Sequence, residues 1–161
     1  MKATYFILFL ILPLAMKTCD KNNMNNECPD KITPVEIARG VLHGNGGEGI
    51  EASELVITDP GEWQKLMNKM NSVNRVTDRF AETQIDFERY MVLAVFDSIR
   101  PNGNYRIQIK EIRECPGKIK ALVEKSHYGR IATAVIVQPF HIVKIPKSEK
   151  PVEFTAYEKS K

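Results

Sequence analysis

Apolar residues recur at helical spacing in one segment of this 161-residue chain. Trp63, Leu66, Met67 and Met70 fall at i, i+3, i+4 and i+7, which places them on one face of a helix. Residues 59–62, Asp-Pro-Gly-Glu, form a helix start, because the aspartate can accept hydrogen bonds from free amides and proline fits the first helical position. We predict an amphipathic helix of about three turns whose tryptophan and methionines pack against a sheet.

Strand patterns occupy most of the remaining chain. The run Tyr90 to Phe96 is continuously apolar between charged residues, which is typical of a central strand buried on both faces. From Tyr105 to Ile109 apolar and polar residues alternate, and the alternation slips at 111–112, where we predict a bulge or strand end. The other segments with strand patterns are 35–41, 50–57, 118–125, 133–137, 140–145 and 152–157.

Glycine and proline mark the connections between these segments. Pro116 and Gly117 predict a hairpin, and the glycine-rich residues 43–49 predict a second hairpin connection rather than a phosphate-binding loop, because no Gly-Lys-Ser/Thr ending follows. Prolines 139, 146 and 151 mark strand breaks or edges. Short consecutive strands favour antiparallel pairing, so we expect an α+β fold dominated by a mostly antiparallel sheet, with one amphipathic helix packed on it.

The beginning of the chain has the layout of an export signal. A lysine is followed by an apolar stretch and then by small or polar residues, which predicts a signal peptide over 1–18. A cysteine at the exit, Cys19, resembles the lipidation site of bacterial lipoproteins, although Lys17 departs from the usual pattern before it. Residues 19–27 then predict a flexible tether, and residues 28–161 a single globular domain.

Composition and charge add to this prediction of location. Two of the three net positive charges come from lysines inside the predicted signal, so the mature domain is nearly neutral. Nucleic acid is not an expected partner, because phosphate binding needs a concentrated basic surface. We expect a protein of the bacterial cell envelope, anchored at the outer membrane or cell surface through lipid on Cys19 only; the alternative is a secreted or periplasmic protein.

Cysteines and histidines are the candidates for chemistry. Cys28 and Cys115 are either two free buried thiols or a disulfide, which an oxidising compartment allows. His43, His127 and His141 lack the spacing of a local metal motif, and we expect neither a metal nor a cofactor. The strand pattern favours a packed or hydrogen-bonded His141 over a catalytic one. We therefore expect a non-catalytic domain.

Two segments resemble a known family. Residues 96–109, Phe-Asp-Ser-Ile-Arg-Pro-Asn-Gly-Asn-Tyr-Arg-Ile-Gln-Ile, and residues 138–146, Gln-Pro-Phe-His-Ile-Val-Lys-Ile-Pro, resemble the C-terminal domain family of PrcB, a subunit of a spirochaete surface protease complex. In that family an Arg-Pro-Thr-Gly-Gly-Tyr-like turn precedes a strand, and a Pro-Tyr-His-Ile-Val-like strand closes the domain. The match extends over about residues 86–146, and Asn102 and Asn104 depart from the family's threonine and glycine.

The PrcB-like segments imply an exported interaction module that associates with an envelope protein, with a protease as one class of partner. They also indicate which residues form the binding site. These residues are Pro101, Asn102, Gly103, Asn104, Tyr105, Pro139, Phe140 and His141.

A weaker resemblance indicates a second function. Chagasin-like inhibitors of cysteine proteases also present a Pro-rich turn, a Gly-containing loop and a later Pro-aromatic loop, and here residues 101–105, 128–130 and 139–140 come in that order. If the three loops gathered at one end of a sheet, they could enter a protease cleft with aromatic anchors. The alternative is that these glycines and prolines only turn strands.

Overall fold

The computed structural model describes residues 28–129 and 134–157. The predicted signal over 1–18, the lipidation site Cys19 and the tether over 19–27 lie outside the described residues. Among the described residues the helices are α1 (Pro60–Met70) and a short 3₁₀ helix (Val76–Arg79). The strands are β1 (Asp30–Ile32), β2 (Val35–Leu42), β3 (Ser53–Ile57), β4 (Tyr90–Phe96), β5 (Tyr105–Cys115), β6 (Lys118–His127), β7 (Gln138–Pro146) and β8 (Val152–Ala156).

The eight strands form two four-stranded sheets, and the fold is α+β as predicted. The central sheet has the order β2-β7-β4-β3, and the outer sheet has the order β1-β5-β6-β8. Strand pairing is antiparallel except between β6 and β8, which run parallel. The prediction of a mostly antiparallel, β-dominated fold with one helix on it is confirmed.

The central sheet has an apolar core on each of its faces. Strand β4 shows why, because alternate residues of a strand point to opposite faces. Val92, Ala94 and Phe96 join a core that contains the buried face of α1, whereas Met91, Leu93 and Val95 join a core shared with the outer sheet. The continuous apolar run of β4 therefore fills two cores, and its predicted place between two other strands is confirmed.

Helix α1 begins and packs as its sequence predicts. The Asp59 carboxylate accepts hydrogen bonds from the backbone N–H groups of Gly61 and Glu62 at 2.8 and 3.0 Å, which satisfies two amides that have no partner within the helix. The four residues of the predicted apolar face, Trp63, Leu66, Met67 and Met70, are all buried. The tryptophan belongs to the core and also donates from Nε1 to the Thr83 carbonyl at 2.7 Å.

The hairpin between β5 and β6 also matches its prediction. Gly117 in the connecting turn has a φ of 80°, a conformation that glycine adopts without strain. The register between the two strands shifts between Ile109 and Glu111. This irregularity lies next to the predicted slip in the alternation.

The predicted hairpin over residues 43–49 is wrong. Strand β2 pairs with β7 and strand β3 pairs with β4, so the two strands joined by this loop lie at opposite edges of the central sheet. The pairing differs because β4 and β7, which come later in the chain, carry the apolar residues needed between two layers and therefore occupy the middle. Local turn chemistry gives no information about such later strands.

Two further segments near the C-terminal end differ from the prediction. In the predicted strand 133–137, residue 133 lies outside the described residues, 134–136 form no strand, and Val137 makes an isolated bridge with Arg100. Strand β8 ends at Ala156 and pairs in parallel with β6, because the chain returns to the edge of the outer sheet from the central sheet.

Cys28 and Cys115 form a disulfide bond in the structure. Arg113 supports this junction by donating from Nη1 to the Cys28 carbonyl at 3.1 Å. The bond joins the segment before β1 to the last residue of β5. Among the residues that the structure describes, no helix is long and apolar enough to span a membrane.

Candidate binding surface

An ion pair with a buried aspartate holds the turn that follows β4. The Asp97 carboxylate, only 1% exposed, accepts two hydrogen bonds from the Arg100 guanidinium, from Nε at 2.8 Å and from Nη2 at 2.9 Å. Lys125 Nζ lies 3.2 Å from the same carboxylate. A bidentate pair fixes the orientation of both side chains, so the turn has a defined conformation at its base.

The charges of this pair are mutually stabilised. Burial by itself raises the pKa of the Asp97 carboxyl, but hydrogen bonds from Arg100, the Ser98 backbone and Lys125 outweigh burial and leave the pKa below its ordinary value. The hydrogen bond to Asp97 in turn raises the pKa of Arg100. Both groups are therefore charged at neutral pH.

Aromatic rings pack next to this ion pair. The Arg100 guanidinium carbon lies 4.8 Å from the centroid of the Tyr105 ring, and the Tyr105 and His127 ring centroids are 4.7 Å apart. Next to them, Arg106 lies over the Tyr128 ring at 5.2 Å. Each cation–π contact adds a modest stabilisation, and together they hold both tyrosines against the ends of β5 and β6.

The turn over 101–105 contacts two other segments at this end of the molecule. The Asn104 N–H donates to the Asn102 side chain at 3.1 Å, which closes a local turn, and the Asn104 carbonyl accepts from the Tyr128 N–H at 3.0 Å. A Cβ added at Gly103 would lie 3.7 Å from Val135. The predicted site residues 101–105 therefore adjoin Tyr128 and the segment before β7; Arg130 lies outside the described residues.

Exposed apolar side chains border this turn. Ile99, Tyr128 and Ile136 are 49%, 54% and 43% exposed. Ile99 also contacts the loop 43–49, because a Cβ added at Gly46 would lie 2.4 Å from its Cδ1 atom. We use the name apolar end for the surface formed by Ile99, Tyr128, Ile136 and the turn 101–105.

The other predicted site residues, Pro139, Phe140 and His141, lie inside strand β7 and are buried. The Phe140 ring belongs to the core beneath α1 and stacks on Phe96 with ring centroids 6.0 Å apart. Phe140 reaches the surface only in the wall of a cleft beside β2. Side chains with so little exposure cannot act as anchors that project into a partner.

His141 connects the two sheets. Its Nδ1 accepts a hydrogen bond from the Ile109 backbone N–H at 2.9 Å, and its Nε2 lies 3.1 Å from a Glu36 carboxylate oxygen. Because Nδ1 is an acceptor, the ring is neutral and carries its hydrogen on Nε2, which donates to Glu36. Burial lowers the pKa of His141, and the hydrogen bond to Glu36 only partly opposes this.

The structure bears on two other kinds of site, a cysteine nucleophile and a metal centre. Cys115 is bonded to Cys28, so its sulfur is not available as a thiolate nucleophile paired with a histidine. Within 28–129 and 134–157, no group of three or more histidine, cysteine, aspartate or glutamate side chains is placed to hold a metal ion.

Sequence reasoning located the turn 101–105 but missed the residues that define the surface around it. Ile99 is an apolar residue outside any predicted strand, which is a signal that the sequence does contain, whereas Ile136 lies in the segment 133–137 that the sequence predicts as a strand. Asp97 and Arg100 have the spacing i, i+3, so their ion pair is also a signal that the sequence contains. The contact between residues 104 and 128 depends on how β5 pairs with β6, and this register was not assigned from the sequence.

A scan against models of known families found no match, and searches of curated proteins and of solved structures found none either.

Proposed function

We propose that this chain is a non-catalytic, exported interaction domain, tethered to the membrane through lipid on Cys19, that binds another protein of the bacterial cell envelope. The observation that carries this proposal is the apolar end, where Ile99, Tyr128 and Ile136 are about half exposed around a turn held by the Asp97–Arg100 ion pair. Exposed apolar groups on a rigid support are typical of protein-binding surfaces. The PrcB-like sequence of this turn makes an envelope protease one class of partner.

A crosslinking experiment tests the proposal. The full chain is expressed in its native host, crosslinked in intact cells and isolated from the envelope, and the captured protein is identified. We expect the Ile99→Asp variant to lose at least about 90% of the captured protein, because a charge would enter an apolar contact. The matched control is Val35→Asp, which changes a 53% exposed valine. Val35 is the first residue of β2, whereas Ile99 contacts the loop 43–49 that follows the last residue of this strand.

Thermal unfolding of both variants shows whether the fold is retained. The proposal is abandoned if no protein is captured, or if Ile99→Asp and Val35→Asp capture the same amount as the unchanged chain. Metabolic labelling with a palmitate analogue tests the tether in the same cells, with Cys19→Ala as the control. An unlabelled wild-type chain would contradict membrane attachment through lipid.

The contact between Tyr128 and the turn 101–105 also favours a second function, a chagasin-like inhibitor. Two of its three expected loops adjoin one another, whereas the third contains the buried Phe140. If the captured protein is a cysteine protease, titration of its activity with the purified chain distinguishes the two functions. Stoichiometric inhibition supports an inhibitor, and unchanged activity in the complex supports an interaction domain.

A further inference from the structure

Strand β2 forms one of the two edges of the central sheet in the described part of the chain. Strand β2 pairs with β7 on one side, and no described strand pairs with its other side. The first half of this free edge is covered, because the Ile37 carbonyl accepts a hydrogen bond from the Ala81 N–H at 2.9 Å. The open part of the edge is therefore residues 39–42.

The register shows which backbone groups face outward along the open edge. The Pro139 carbonyl accepts from the Asp97 N–H, so the backbone of Pro139 points toward β4 and away from β2. Val41 is the residue opposite Pro139, and Arg39 is opposite His141, two positions further along β7. Backbone direction alternates along an antiparallel pair, so Arg39 and Val41 both direct their N–H and carbonyl groups outward.

Each face of this edge has a cleft beside it. The cleft on the helix side has a volume of about 230 Å³ and is lined by Phe80, Phe140, Val76 and Arg79 together with residues of β2. The cleft on the side of the outer sheet has a volume of about 270 Å³ and is lined by Tyr105, Arg106, Ile107 and Gly103 together with Arg39, Gly40 and Val41. Strand β2 thus separates two clefts, and we call the one whose wall contains the Phe80 and Phe140 rings the apolar cleft.

Gly40 keeps the apolar cleft open. A Cβ added at Gly40 would lie 3.5 Å from the Phe140 ring, an ordinary contact distance, so a longer side chain there would cover the ring. Phe140 is only 3% exposed, and the part of its ring that lines the cleft lies next to Gly40.

The two clefts have a common charge preference. Arg39 and Arg106 line the cleft beside the outer sheet, and Arg79 and His43 line the apolar cleft. Among the described residues, no acidic side chain lines either cleft. Arg39 is partly balanced by its ion pair with Glu36. The surroundings of the open edge therefore favour a ligand with carboxylates.

We propose that residues 39–42 of β2 bind an extended acidic peptide, which adds a strand to the central sheet. Arg39 and Val41 hydrogen-bond its backbone, as in other cases of strand addition. Side chains of the bound peptide alternate between the two clefts. Its preferred sequence is acidic, apolar, acidic, with the apolar side chain against Phe80 and Phe140 and the two carboxylates toward Arg39 and Arg106.

The peptide acetyl-Thr-Asp-Phe-Asp-Thr-amide is the probe for this site, and its lysine counterpart acetyl-Thr-Lys-Phe-Lys-Thr-amide is the control. Binding is followed by NMR on the isotopically labelled protein, purified as its host exports it. We expect saturable shifts of the Arg39 and Val41 amide signals with the acidic peptide. We expect affinity at least about tenfold weaker for the lysine peptide, a difference of about 1.4 kcal/mol.

Two variants test the geometry. Val41→Pro removes an outward N–H that β7 does not use, a change that edge strands accommodate, and Gly40→Leu fills the apolar cleft. Each is expected to weaken the acidic peptide by about tenfold or more, and Val35→Asp is the control that leaves binding unchanged. If the Val41→Pro variant does not fold, the binding measured for Gly40→Leu tests the proposal.

The proposal is overturned if the acidic peptide shows no saturable binding, if the lysine peptide binds equally well, or if folded variants bind as the unchanged protein does. Dimerisation through β2 in sedimentation measurements would also overturn it, because a second copy would then occupy the edge. The turn 101–105 borders both surfaces, but Ile99 lines neither cleft, so Ile99→Asp should leave peptide binding intact. Loss of the envelope partner and loss of the peptide are therefore separate results.

Discussion

His141 makes the stability of the protein sensitive to pH. The ring is 2% exposed and neutral, and burial holds its pKa below the ordinary value of 6.5. In the unfolded chain the ring binds a proton at about pH 6.5, whereas the folded protein resists protonation until a lower pH. The stability associated with the neutral ring is therefore complete above pH 6.5 and is lost as the pH falls toward the folded pKa.

The variant His141→Asn isolates this effect, since asparagine keeps an acceptor for the Ile109 N–H but does not titrate. We expect the free energy of unfolding of the wild type to fall between pH 7 and 5 more steeply than that of the variant, by about 1.4 kcal/mol for each unit of pKa difference. Urea unfolding at pH 7, 6 and 5 measures both slopes. The ordinary pKa values of Asp97 and Glu36 are 3.8 and 4.5, and folding lowers both. Protonation of these two carboxylates therefore reduces the stability mainly below this pH range. Equal slopes would contradict the assignment.

At the scale of elements, α1 depends on the hydrogen bonds at its first turn. Asp59→Ala removes the acceptor for the Gly61 and Glu62 amides, and we expect it to lower the free energy of unfolding by about 1 kcal/mol. Asp59→Asn is the matched control, because it keeps a side-chain oxygen. Hydrogen exchange of the Gly61 and Glu62 amides should accelerate in the alanine variant alone. Unchanged exchange would show that the side chain is not the main cap.

At the scale of the whole molecule, the sequence predicts the elements better than their arrangement. The spacing from Trp63 to Met70 is enough to place α1, and the apolar run of β4 is enough to place it between other strands. The separation of β2 from β3 and the parallel pairing of β8 depend on competition among all strands for two cores, which no local pattern contains. The same distinction holds for the candidate sites. The turn 101–105 can be predicted from local sequence, whereas the open edge of β2 exists only in the assembled sheet.

The Cys28–Cys115 disulfide acts on this whole arrangement. It joins residues 87 positions apart, so it restricts the unfolded chain strongly, and the chain-entropy relation gives a stabilisation of about 4.6 kcal/mol. Inside the folded protein it secures the segment before β1 to the end of β5.

We expect the double variant Cys28→Ser/Cys115→Ser to lose most of this stability in urea unfolding. Dithiothreitol should lower the stability of the wild type and leave the double variant unchanged, which separates reduction of this bond from other effects of the reagent. Similar stability of the reduced and oxidised wild type would mean that packing between the two sheets, rather than the crosslink, holds the N-terminal segment in place.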